Sequence, residues 1–243
     1  MNVQHRQRQR YKSEDYLDES FTAKGLGGWR QLYLPFLEEL QPGSVLEVGA
    51  GAPEFLSMVP SHRRAAVDIG DRFADIFAHA GVEFFKRDLD RDDLTELGQF
   101  EAIVCSDVFE HLINPAFALD SIADALAPSG VLLTHVPNEY RLDTVRIMLG
   151  KTTSVRYHGN HEEWEDPHFR RFTDIGFQRL LDRRFRFKLK ITDLRYGRAA
   201  RTLQSLGVSV PYFMEGGPTY LCTNDEATFA RLTEIKSRMQ GKI

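Results

Sequence analysis

The chain has 243 residues, 42% hydrophobic and 27% charged, which permits one generous α/β domain with a sizeable core. A net charge of −4 and a pI near 6.1 argue against a general binder of nucleic acid or of anionic membranes. Two cysteines, Cys105 and Cys222, make no disulfide framework and stand in no metal-ligand spacing, so both are expected as reduced, buried thiols of a cytoplasmic protein.

The opening stretch, MNVQHRQRQRYK, is polar and basic and lacks the apolar centre of a secretory signal; no apolar run is long enough to span a bilayer. Tyr11 to Leu40 reads as helical. Trp29, Leu32, Tyr33, Phe36, Leu37 and Leu40 recur at spacings of three and four and build one apolar face, which Pro42-Gly43 ends. Short apolar runs then alternate with helical patterns: SVLEVG from Ser44, AAVDIG from Ala65, VEFFKRD from Val82, EAIVCSD from Glu101 and GVLLTHVP from Gly130. Such alternation predicts βαβ units and a parallel sheet covered on both faces. ALAPSG before the fifth run reads as a helix end, with Gly130 in a left-handed conformation. Residues 138–171 break the rhythm and read as an insertion. TDIGFQRLLDRRF resumes a helix with Thr173 as N-cap, RFKLKITDLRYG alternates like a strand, PTYLCTND is a short apolar run, and Glu226 to Met239 is a charged amphipathic helix. The simplest partition is an extension over residues 1–41 and one domain over 42–243.

The turn after the first run carries the first chemical signal. In an open parallel sheet, ligands bind beyond the carboxyl ends of the strands, where strand order reverses. Gly49 and Gly51 offer backbone that a ligand can approach, and a helix starting near Pro53 would point free N–H groups into the same crevice. Gly49-Ala50-Gly51-Ala52-Pro53-Glu54 departs from the dinucleotide fingerprint G-x-G-x-x-G by an acid at the last position. With Glu47 two residues before Gly49, the turn suits a cationic ligand better than a phosphate; a purely structural turn is the alternative. Asp68, Asp88 and Asp107 close the next three runs. Each alone is equally a cap or turn former, but together they make an acidic crevice short of phosphate-binding cations.

VLEVGAG, VDIG, RDLD, CSDVFEHL and GVLLTHVPN, in this order, resemble the class I S-adenosylmethionine-dependent methyltransferases over roughly Pro42 to Pro137. HFRRFTDIGFQRLL is similar to the H-x-x-x-F-T segment of many small-molecule members. The resemblance implies a Rossmann-like, doubly wound, seven-stranded and mostly parallel sheet with an antiparallel last strand and helices on both faces. It implies S-adenosylmethionine as cofactor. Glu47 would hold the methionine ammonium, and Gly49, Ala50 and Gly51 would admit the cofactor. Asp68 would take the ribose hydroxyls with Ile69 against the adenine. Asp88 would accept from the adenine amino group beside Leu89, and Ser106, Asp107 and Val108 would line the sulfonium region. Pro53 stands where the family pattern often carries a third glycine.

Methyl transfer needs an acceptor in line with the methyl–sulfur bond in a water-poor site, and an oxygen or nitrogen acceptor also gives up a proton. His111, four residues after Asp107, is the first candidate base; if a helix begins there the two share a face. His135 is the second, with a hydrogen-bonded place inside the sheet as its alternative. His158, His161 and His168, interleaved with Glu162, Glu163 and Glu165, match no familiar zinc spacing, so no metal site is expected and the segment reads as a lid. Tyr140, Tyr157, Trp164 and Phe169 supply it with aromatic surface, and Tyr16, Phe21 and Trp29 could cap the cofactor from the other side. Arg170, Arg171, Arg183, Arg184 and Arg186 read first as a solvated cluster. The expected function is methyl transfer to a small-molecule acceptor, at oxygen, with a sugar, a lipid-linked intermediate and a natural-product precursor all open; no nucleic-acid partner and no membrane span are expected, and oligomeric state is open. A non-catalytic cofactor-binding or scaffolding protein and an NAD(P)-linked oxidoreductase are the competing readings.

Overall fold

The structure, a computed structural model, describes residues 29–140, 148–150 and 168–241. Helix α1 (Arg30–Leu40) leads into strand β1 (Ser44–Val48), followed by α2 (Glu54–Met58), β2 (Arg63–Asp68), α3 (Ala74–His79) and β3 (Glu83–Lys86). Strand β4 (Phe100–Ser106), α4 (Pro115–Asp124) and β5 (Leu126–His135) come next. The described chain closes with α5 (Asp174–Leu181), β6 (Phe187–Lys190), α6 (Arg198–Ser205), β7 (Thr219–Thr223) and α7 (Glu226–Gln240). The strands form one seven-stranded sheet in the order β3-β2-β1-β4-β5-β7-β6. Every pairing from β3 to β5 is parallel, and β7 runs antiparallel between β5 and β6. This is the expected architecture.

Neighbouring residues of a strand enter opposite cores, because side chains alternate across a sheet. Leu46, Val67, Ile103 and Leu132 pack with Phe177 and Leu181 of α5 and with Leu119 and Ile122 of α4. Val45, Ala66, Val104 and Leu133 pack on the other face with Tyr33, Phe36 and Leu37 of α1, Phe77 of α3 and Leu232 and Ile235 of α7. By the same alternation Glu47 belongs to the α1 face. The chain winds from β1 outward through β2 and β3, then returns to lay β4 on the other side of β1. The crevice at their carboxyl ends is therefore the switch point of the sheet.

Several local expectations need correction. The fifth strand starts at Leu126, and Gly130 lies inside it without a left-handed conformation. Pairing jumps from Phe100↔Leu126 to Ala102↔Val131, so Ala127 to Gly130 bulge out of the ladder, which is how Pro128 is tolerated in a strand. Helix α4 ends earlier, at Asp124. Phe109–His111 is a single 3₁₀ turn, so the α-helical shared face expected for Asp107 and His111 does not exist. Helix α2 starts just after Pro53, as expected, and is short, with five residues. Thr173 does cap α5, its Oγ1 accepting from Gly176 N at 3.0 Å. Cys105 and Cys222 are buried, and burial pushes both thiols above their usual range. Of the residues proposed as lids, Tyr16, Phe21, Tyr157, His158, His161, Glu162, Glu163, Trp164 and Glu165 lie outside the described residues. Among the described residues no helix is long and apolar enough to cross a membrane.

Gly216 and Gly217, just before β7, clear the space in which Trp29 and His135 stack with ring centroids 4.3 Å apart. A Cβ on Gly216 would fall 2.2 Å from the Trp29 ring, and one on Gly217 would fall 1.9 Å from Val136 O and 2.1 Å from His135 Cε1. Gly217→Ala should therefore lower stability by roughly 1–3 kcal/mol, the usual cost of overpacking. Equilibrium urea unfolding checks this; a midpoint equal to that of the wild type would contradict it.

Candidate functional site

Strand β1 delivers Glu47 to the switch point and stops in the turn Gly49–Gly51. Both glycines have positive φ, +68° and +63°. Gly49 is also required sterically: a Cβ there would sit 2.4 Å from Val108 Cγ2. The turn after β4 thus closes on the turn after β1 because Gly49 carries no side chain. Ala50 is buried between them. At the end of β2, the Asp68 carboxylate accepts from Gly51 N at 3.0 Å and from Gly70 N at 3.1 Å, tying the two turns together. Burial raises its pKa against the lowering effect of these N–H groups. Asp88, two residues past β3, is partly buried and accepts from Asp90 N at 3.2 Å; Leu89 beside it is buried. Ile69 is half-buried.

At the end of β4, Ser106 Oγ lies 2.9 Å from Tyr33 OH, which locks α1 to the strand end. Asp107 has φ +56°, a conformation that costs a non-glycine residue roughly 1–3 kcal/mol and that recurs at functional sites. Its side chain is 55% exposed, with Oδ1 3.5 Å from His135 Nε2. His135 is otherwise enclosed: Nδ1 is 3.0 Å from Thr219 Oγ1 and the ring stacks on Trp29. Burial pulls its pKa down to about 4, so at neutral pH the ring is uncharged and a poor proton acceptor. His135 takes the place inside the sheet that was its alternative.

Two buried carboxylates dominate the electrostatics. Glu47 is 1% exposed, and burial raises its pKa to about 7 against the lowering effect of Arg30. Arg30 Nε lies 2.9 Å from Glu47 Oε1, while its Nη2 donates to Gly49 O at 3.2 Å. The Arg30–Glu47 contact is an ion pair by distance whose N–H is not aligned for a hydrogen bond, so both carboxylate oxygens still lack a hydrogen-bonding partner among the described residues. Glu110 is the second: it too is 1% exposed, and neither oxygen has a hydrogen-bond partner among the described residues. Burial, then the charges of Asp107 and Glu139, push its carboxyl well above the usual range. An unpaired buried carboxylate costs several kcal/mol, so its surroundings favour a proton or a cation there.

Around Glu110 the fold gathers three more groups. His111 Nε2 is 3.8 Å from Glu110 Oε1, the His111 and His168 rings are 4.7 Å apart, and His168 Nδ1 is 2.7 Å from Glu139 Oε1. Arg170 fastens this arrangement, its N donating to Glu110 O at 3.0 Å and its Nη2 to Ile113 O at 2.8 Å. Of the arginines read as a solvated cluster, Arg183 and Arg184 both pair with Asp120, Arg184 also with Asp124, and the Arg186 guanidinium lies over Phe187. Sequence reasoning missed Arg30, Glu110 and Glu139. Glu110 had a usable signal, an acid flanked by Val108, Phe109 and Leu112. Arg30 and Glu139 had none, since their partners are distant in the chain.

Residues 21–184 match the family model described as a methyltransferase domain, more than half of the chain. No curated protein matches the chain in sequence. Among solved structures, an S-adenosylmethionine-dependent methyltransferase from Clostridium acetobutylicum superposes with a TM-score of 0.55 at 14% identity, covering 91% of this chain and 99% of that one. The CMeT domain of the citrinin polyketide synthase gives 0.54 at 15% identity over 82% of this chain and 52% of that one. The trans-methyltransferase CalH, in complex with S-adenosylhomocysteine, gives 0.52 at 17% identity over 80% and 55%. At these identities the likeness is one of fold.

Glu47 predicts a pH signature. Its pKa rises from 4.5 to about 7 on folding, so the folded state holds a proton that the unfolded state releases. Its contribution is complete below pH 4.5 and is lost as pH rises towards 7, on the order of 3 kcal/mol. His135 has the opposite sign, losing stability as pH falls from 6.5 to about 4, and masks part of the effect. Glu47→Gln should therefore gain stability relative to the wild type between pH 5 and 7.5, measured by urea unfolding at each pH. A difference that stays constant with pH would contradict this.

Proposed function

Since the chain belongs to the methyltransferase-domain family, we propose that it transfers a methyl group from S-adenosylmethionine to a small-molecule acceptor, at an oxygen atom. The supporting observation is a set of acids at the switch point, from buried Glu47 to exposed Asp107. Glu47, Asp68 and Asp107 stand at the ends of β1, β2 and β4 around a turn whose glycines leave the backbone open. These residues fit the cofactor. Glu47 keeps carboxylate oxygens without a hydrogen bond, which suits an ammonium group; Asp68 is held by Gly51 and Gly70 in the place that suits ribose hydroxyls; Asp88 and Leu89 suit an adenine edge and face. When bound, S-adenosylmethionine supplies the electrophilic methyl group.

The remaining tasks fall to this chain. Gly49, Ala50 and Gly51 admit the ligand, Ile69 and Val108 shield it from water, and Ser106 with Tyr33 fixes the end of β4. His135, uncharged at neutral pH, positions Asp107. His111 takes part in activating the acceptor as a member of the group Glu110, His111, Glu139 and His168, which can hold or move the proton an oxygen acceptor must lose. That polar group suits a hydroxyl acceptor, whose proton it can take.

Isothermal calorimetry with S-adenosylmethionine and S-adenosylhomocysteine tests the reading. Both should bind, and Asp68→Ala should weaken binding at least about tenfold, equivalent to about 1.4 kcal/mol. Absence of heat with both ligands would remove the proposal, as would unaltered affinity in the variant.

A further inference from the structure

His168 stands 57 residues from His111 in the chain, and the fold sets the two rings side by side with an unsatisfied carboxylate. We propose that Glu110, His111 and His168 bind one zinc-class divalent cation beside the Asp107 rim, with Glu139 holding His168 in its ligating orientation.

Each of the three residues offers one ligand atom, and these atoms all lie within 4.8 Å of one another. A cation with bonds of about 2.1 Å keeps its ligands within about 4.2 Å of each other. The site therefore closes by small side-chain rotations. Glu110 supplies the independent observation: it is 1% exposed and neither of its oxygens has a hydrogen-bond partner among the described residues. Its separation of 3.8 Å from His111 Nε2 is too long for a hydrogen bond, so a protonated His111 would offset its charge and leave both oxygens without a donor. Two charged imidazoles 4.7 Å apart would also repel each other, whereas a cation takes both rings as neutral ligands.

Glu139 completes the arrangement. Its Oε1 lies 2.7 Å from His168 Nδ1, and both side chains are buried. A carboxylate on one ring nitrogen fixes the tautomer, turns the other nitrogen to the metal and raises its basicity. One carboxylate with two imidazoles suits zinc and neighbouring first-row cations; magnesium and calcium favour all-oxygen sites. The ligands sit on ordered backbone, since Arg170 ties the His168 segment to Glu110 and Ile113. The absence of a zinc spacing in the sequence is explained by the same geometry. The ligands come from the turn after β4 and from the residues before α5, not from one local motif. The catalytic use of the cation rests on the methyltransferase reading: a Lewis acid here lowers the pKa of a hydroxyl acceptor, so that His111 takes part in activation as a ligand and the acceptor's proton passes to solvent at the exposed Asp107 rim.

The test uses the untagged full chain, stripped with a chelator and dialysed against zinc sulfate. Metal analysis should find about one zinc per chain, and Glu110→Gln and His168→Gln should each lower zinc affinity at least about tenfold. The exposed His62→Gln should leave it unchanged. Near-UV circular dichroism checks the fold of the variants. If either variant is misfolded, cobalt substitution of the wild type decides: visible absorption of a nitrogen- and oxygen-ligated cobalt supports the site, and no absorption overturns it. Zinc uptake well below one equivalent, or wild-type affinity in both folded variants, overturns the proposal. Calorimetry of the metal-free chain with S-adenosylhomocysteine separates the two readings. Nucleoside binding without zinc uptake defeats the metal site alone; zinc uptake without nucleoside binding supports the site and defeats its catalytic use.

Discussion

Glu47 places a carboxylate where almost no water reaches, at the end of a strand buried on both faces. Everything near the switch point adjusts to that fact. Arg30 comes over from α1 to face the acid, Tyr33 of the same helix reaches Ser106, and Trp29 stacks on His135. The helix before the sheet is thus fixed to the strand ends by one ion pair, two hydrogen bonds and one ring contact. The desolvation penalty of a lone buried carboxylate explains why a cation is kept beside it, from the chain or from a ligand.

The same logic recurs across the crevice with a different outcome. Among the described residues Glu110 has no arginine partner comparable to Arg30. It has imidazoles, and beyond them Glu139. One acid is balanced by a fixed guanidinium and the other by groups that exchange protons or take up metal. Two buried acids with unlike neighbours thus stand near the strand ends, and on the proposed function one faces the cationic cofactor and the other the acceptor.

Most of the fold was legible because strands buried on both faces are apolar runs, and β1, β2 and β4 stand out between polar helices. The carboxyl-end residues followed from topology: once the runs were strands, Glu47, Asp68 and Asp107 had to lie at one edge. Misreadings came where local chemistry competes with tertiary pairing. Pro128-Ser129-Gly130 reads as punctuation, yet the edge of β4 holds the segment in the sheet as a bulge. The spacing of Asp107 and His111 is helical only if a helix exists, and the chain makes one 3₁₀ turn instead. Contacts between distant segments, such as His168 with His111 or Arg30 with Glu47, have no signature in a single sequence. They depend on how a helix or connection lies across the finished sheet.

The two thiols flank β5 from opposite sides. Cys105 is paired across from Thr134, and Cys222 across from Leu132. Neither is reachable in the closed molecule, and neither thiol ionises readily. An alkylating reagent therefore modifies them only through transient separation of neighbouring strands. Because one reports on the β4 border and the other on the β7 border, their relative labelling rates measure whether the parallel half and the antiparallel margin of the sheet breathe together or apart.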